Sequence, residues 1–143
     1  MDSFDLEVYN ALHELGIPVH VRGYEFLKSA MKYLHANPQS IYAMTKEFYP
    51  AIAEMYGVKA SHVERGIRTA LGLSKADDAT WQRVLGRSGH MSNSEFLATL
   101  NETIRVKLAS GESHFAGSEK YLEFHENRDE LQMQPNDYKE EEG

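Results

Sequence analysis

The sequence predicts an all-α domain, a compact bundle of about six helices with a helix-turn-helix at the third and fourth, followed by an acidic C-terminal extension. Three observations carry this. Apolar residues recur at three- and four-residue intervals along residues 1–108, while alternating β-type runs are nearly absent. Gly and Pro interrupt that pattern at helix-length spacing. Charge is unevenly distributed: residues 1–110 hold 12 Lys and Arg against 12 Asp and Glu, whereas residues 111–143 hold 3 against 10, which is the whole net charge of −7. We therefore place a domain at residues 1–109 and an acidic tail at residues 110–143.

Taken in order, the first helix spans residues 3–15, with Phe4, Val8, Leu12 and Leu15 on one stripe. Gly16 and Pro18 stop it. Residues 17–22 read as an extended connector that can form one brief strand-like segment. A second helix follows Gly23, with Tyr24, Leu27, Ala30, Met31 and Leu34 as its stripe, and Asn37-Pro38 ends it. The third runs over residues 39–56 with Ile41, Met44, Phe48, Ile52 and Met55 facing one way. Pro50 predicts a kink near residues 46–47. The fourth opens at Ser61, where Ser61 and Glu64 have capping-box spacing, and continues through Val63, Ile67, Ala70 and Leu71. A short fifth helix covers residues 78–85 around Trp81. The sixth starts at Asn93 or Ser94 and carries Phe96, Leu97, Leu100, Ile104 and Leu108. In the tail a weak helix is expected over residues 118–131, with disorder beyond.

Composition narrows the function. At 143 residues, 41 % apolar and 26 % charged, the chain suits one packed domain rather than a disordered chain or a two-domain cofactor enzyme. The absence of cysteine removes disulfides, thiolate metal sites and a cysteine nucleophile, and suits the cytoplasm. Acids at Asp2, Asp5, Glu7, Glu14 and Glu25 break up the first thirty residues, so neither a signal peptide nor a membrane span is expected. Residues 41–110 hold 9 bases against 7 acids, a local excess that permits contact with DNA.

The join between helices three and four is the informative motif. Ala53, Gly57 and Val63 have the spacing of a helix-turn-helix: a small residue for close approach, a glycine for positive φ, and a valine, with Val58, wedged between the helices. At about 100° per residue, Val63, Ile67, Ala70 and Leu71 share one side of helix four. Arg65 lies nearly opposite, flanked by Ser61, His62, Arg68 and Thr69, with Glu64 at the edge. Arg can fork onto guanine and Glu can accept from the cytosine amino group. A plain solvated face held by Glu64–Arg68 pairing is the competing reading.

Four blocks now stand together: Gly16-Ile17-Pro18-Val19-His20-Val21-Arg22-Gly23-Tyr24, then Thr45-Lys46-Glu47-Phe48-Tyr49-Pro50-Ala51-Ile52-Ala53, then Ala60-Ser61-His62-Val63-Glu64-Arg65-Gly66-Ile67-Arg68, and Ser92-Asn93-Ser94-Glu95-Phe96. In this order they resemble the C-terminal DNA-binding effector domain of the sporulation master response regulator, over about residues 8–107. The resemblance implies a transcription regulator of six helices that binds duplex DNA, often as two copies in tandem, and meets an RNA polymerase sigma factor. It implies base contacts from Glu64, Arg65 and Arg68, with His62 at the first position of the same set; Thr69 on that face is expected to join them, and Lys46, Lys59, Ser61 and Arg87 are expected at phosphates. Two departures modify those expectations. His62 stands where the family has an arginine, and imidazole cannot fork onto guanine as a guanidinium does. The chain also begins directly with the effector, so a receiver domain and its aspartyl phosphate are not expected.

Other chemistry finds little support. His13-Glu14 opens like a zincin motif, but Ile17 occupies the second ligand position, so no metal is expected. His20, between Val19 and Val21, reads as a packed core residue. No phosphate-cradling loop or nucleophile elbow is present, so neither enzyme activity nor a cofactor is expected. The alternative to DNA reading is a protein-binding antagonist or adaptor, with the acidic tail masking the DNA face or docking on a partner.

Overall fold

The structure is a computed structural model, described here for residues 2–87 and 91–111. Six α-helices are present among them: α1 (Ser3–Glu14), α2 (Arg22–Ala36), α3 (Tyr49–Tyr56), α4 (Ala60–Gly72), α5 (Asp78–Leu85) and α6 (Asn93–Ser110). No strand occurs among the described residues. The chain divides into two units, residues 1–106 and 107–143. The expected tail helix over residues 118–131 lies outside the described residues.

The predicted stripes make the core. Phe4, Val8, Leu12 and Leu15 of the first helix and its cap are buried, as are Tyr24, Leu27, Ala30, Met31 and Leu34 of α2. Phe26 joins them, fully enclosed. Within the first unit α2 packs on both α1 and α4, and α3 packs on α4. The closest approach is at two glycines. A Cβ on Gly23 would stand 2.1 Å from the Gly66 carbonyl oxygen, and one on Gly66 would stand 2.7 Å from the Phe26 ring. Neither contact leaves room for a methyl group.

Several expectations need correction. The connector before α2 forms no strand; Val21 is extended, as the residue that starts a helix opening at Arg22 rather than after Gly23. His20 is exposed and not part of the core, because the connector buries Ile17 and turns outward at Val19 and His20. The third helix is divided into three pieces. A 3-10 turn (Pro38–Tyr42) leads into a π turn (Met44–Phe48), where the Phe48 amide donates to the Ala43 carbonyl at 3.0 Å. Pro50 sits in the first turn of α3, where its missing N–H costs no helical bond. The wide turn before it absorbs the break predicted near residues 46–47. Within α3 the buried face is set by Tyr49, Ile52 and Ala53, which leaves Met55 at its edge, 56 % exposed. Helix α4 opens at Ala60 with Lys59 as its cap and no side-chain cap bond, so the Ser61–Glu64 capping box does not form. Glu64 instead pairs with Arg68.

The remaining joints are tied by hydrogen bonds. Asp77 caps α5 by accepting from the Thr80 amide at 2.9 Å. The Ser74 hydroxyl donates to the Leu15 carbonyl and accepts from the Trp81 indole at 3.1 Å. The Lys75 amide donates to the Gly16 carbonyl at 3.2 Å, where Gly16 has φ +67°. Arg83 and Glu14 pair at 3.4 Å, linking α5 to α1.

Candidate nucleic-acid interface

The turn between α3 and α4 is made at Gly57. Gly57 adopts φ 65°, ψ 36°, the left-handed conformation that a glycine enters without steric cost. Its amide bonds back to the Glu54 carbonyl at 3.4 Å, and the Val58 amide to the Ala53 carbonyl at 3.1 Å, closing the helix end. Ala53 and Val63 are buried between the two helices. Val58 is only half-buried and lines the cleft described next.

Val63, Ile67 and Ala70 are fully buried on the inner face of α4. Leu71, expected with them, is half-buried instead. The outer face presents Ser61, His62, Arg65, Arg68 and Thr69, all exposed, with Glu64 half-buried. These residues fall on two flanks. His62, Arg65 and Thr69 line a shallow cleft of about 300 Å³ together with Val58, Gly66, Phe26 and the start of α2. Arg68 lines a second cleft of about 370 Å³ with Leu71, Ser74, Asp78, Trp81 and Asn93. Arg68 is ion-paired to Glu64, whereas Arg65 has no ion pair among the described residues.

The four residues expected at phosphates are all exposed, but they line neither cleft. Lys59 and Ser61 sit at the start of α4. Lys46 lies in the π turn, beside the Glu47 that accepts from the Tyr33 hydroxyl at 2.8 Å. Arg87 follows α5, and its charge helps hold the Glu95 carboxyl below the ordinary glutamate range, after the larger effect of the Ser92 amide bond.

Two residues near this face escaped the sequence reading. Asn93 is buried, and its side-chain amide donates both to the Glu64 carbonyl at 2.9 Å and to the Tyr49 hydroxyl at 3.1 Å. Burial pushes the Tyr49 phenol above its ordinary range, and the Asn93 bond opposes that rise. The sequence signalled Asn93 only as a helix start. Arg22 is the other. It is exposed at the first position of α2 and lines the same cleft as His62 and Arg65.

Residues 8–104 match the family described as Sporulation initiation factor Spo0A C terminal. That family is one of DNA-binding effector domains, not of enzymes. Among the described residues, no helix is long and apolar enough to cross a membrane. With two thirds of its length matched and an all-helical fold, the chain belongs to the Spo0A C-terminal family, a DNA-binding domain of sporulation and transcription regulation.

Proposed function

We propose that α3, the Gly57 turn and α4 act as a helix-turn-helix, with α4 entering the major groove of a specific duplex. Base edges are read by Arg65 foremost, with His62, Glu64, Arg68 and Thr69. Lys46, Lys59, Ser61 and Arg87 hold phosphates. The observation that supports this best is Arg65: exposed, without an ion pair among the described residues, and opposite the buried Val63 and Ile67. A bidentate arginine–guanine pair discriminates by about 1–3 kcal/mol, so one such residue can dominate sequence preference. By the same resemblance the partner set extends to a second copy in tandem on the DNA and to an RNA polymerase sigma factor.

In vitro selection from random duplexes with the full chain tests the reading. The parent should enrich one box and Arg65→Ala should lose it. A box that survives Arg65→Ala removes Arg65 from the reading, and no enrichment by the parent removes the reading itself.

The charge asymmetry supports a second reading. Residues 111–143 carry 3 bases against 10 acids, enough to compete with phosphate for the cations of α4 or to engage a protein partner. Under that reading a chain lacking residues 111–143 binds DNA more tightly than the parent; equal affinity and equal salt slope reject masking.

A further inference from the structure

Arg22 stands on a fixed aromatic platform. Its guanidinium carbon lies 5.3 Å from the centre of the Phe26 ring and 5.7 Å from that of Tyr56. The platform is itself held in place. Phe26 is fully buried and meets Tyr56 edge-on at 5.2 Å and 76°. The Tyr56 hydroxyl bonds to Ser29 and donates to the Glu25 carbonyl at 3.2 Å. A guanidinium stacked on rings keeps its N–H donors turned outward. Arg22 has no carboxylate partner among the described residues, so its charge is not neutralised there.

The cleft that Arg22 lines is walled on its other side by His62, Arg65 and Thr69 of α4. Size decides what Arg22 can reach. A helix with its side chains is about 10–12 Å across. The major groove is about 12 Å wide. Once α4 is seated the groove is full, and a cation beside α4 on a neighbouring helix faces the strand backbone and not a base edge. We propose that Arg22 is a phosphate-binding residue of this interface, held by Phe26 and Tyr56 to clamp the backbone beside the groove that α4 enters. The proposal rests on the reading of α4 as the groove helix. It adds a contact from α2, which the four phosphate residues named above do not include.

The test measures DNA affinity of the full chain on its selected duplex from about 50 to 200 mM salt, for the parent, Arg22→Gln, Arg22→Lys and Arg65→Ala. One phosphate contact contributes about 0.9 to the salt slope, so Arg22→Gln should lose about three- to fourfold less affinity over that range than the parent does. At low salt it should bind more weakly on every sequence, with the selected box unchanged. Arg22→Lys should keep the parent slope, since it keeps the charge. Arg65→Ala should change the box and serves as the contrast. Parent affinity and slope in Arg22→Gln, or an Arg22→Gln that only melts earlier, overturns the proposal. So does a box altered at one base by Arg22→Gln, which would make Arg22 a base reader. Failure of the parent to select any duplex removes the groove reading and this contact with it, an outcome distinct from failure at Arg22 alone.

Discussion

The side-chain amide of Asn93 donates to the main-chain carbonyl of Glu64 at 2.9 Å, so the first residue of α6 fixes the middle of α4. A carbonyl inside a helix keeps a second lone pair after its helical bond, and Asn93 uses it. The same amide reaches the Tyr49 hydroxyl at 3.1 Å, joining α3, α4 and α6 at one buried point.

Asn93→Ala should therefore lower stability by about 1–3 kcal/mol, the cost of leaving buried polar groups without their donor. Asn93→Asp should cost more at neutral pH, because a carboxylate then faces the Glu64 carbonyl. Urea denaturation gives both values. A change below about 0.5 kcal/mol for Asn93→Ala would mean that water replaces the amide at no cost.

The glycines should rank by what a methyl group would meet. Gly23→Ala drives its Cβ to 2.1 Å from a main-chain oxygen, which cannot swing aside, so it should be the most damaging, at about 3 kcal/mol or more. Gly66→Ala meets the Phe26 ring edge at 2.7 Å, and about 1 kcal/mol of helix propensity offsets part of that clash. Gly57→Ala meets nothing within 4 Å and loses only the left-handed conformation, about 1–2 kcal/mol. Urea midpoints of the three variants check the order.

His62→Arg should add a guanine to the selected box at one position and tighten binding by about 1–3 kcal/mol. His62 is exposed on the Arg65 flank of α4, so the longer side chain meets no packing obstacle. Selection with the variant beside the parent reads the result; identical boxes would show that residue 62 does not face a base.

Asp77 makes part of the stability depend on acid. The Thr80 hydroxyl at 2.7 Å and the Thr80 amide at 2.9 Å hold its carboxyl below the ordinary aspartate value of 3.8. A lowered folded-state value means that this contribution is complete above the unfolded value and fades as pH falls below it. Asp77→Asn keeps a cap without the charge. The gap between parent and variant should be constant from pH 7 to about pH 5 and shrink below pH 4, as followed by urea midpoints. A gap that widens toward acid would contradict the assignment.

Much of this molecule was legible because its helices are amphipathic and cleanly stopped. The stripe Phe4, Val8, Leu12, Leu15 and the Gly57 turn needed only local rules, and both stand as the residues required. The outer face of α4 followed from the positions of Val63, Ile67 and Ala70. What failed was set by non-local packing or by changes of pitch. Residues 39–56 keep a helical spacing of apolar side chains, but the chain there breaks into 3-10, π and α pieces, and α3 buries the Tyr49, Ile52 and Ala53 side, leaving Met55 outside, which the spacing alone does not reveal. The roles of Gly66, Asn93 and Arg22 depend on which helix lies beside α4, a fact about the folded chain and not about any window of it. His20 looked internal because its neighbours are valines, yet Val19 is itself 64 % exposed.

The contact of Gly23 with Gly66 has a mechanical consequence. At the crossing the main chains of Gly23 and Gly66 meet directly, flanked by the Phe26 ring and the Ala70 methyl, so α2 and α4 are held in close, tightly packed contact. The backbone positions that carry Arg22 and Arg65 are thus held on one frame. A frame that does not flex between the two helices spares any ligand bound across them the cost of ordering it.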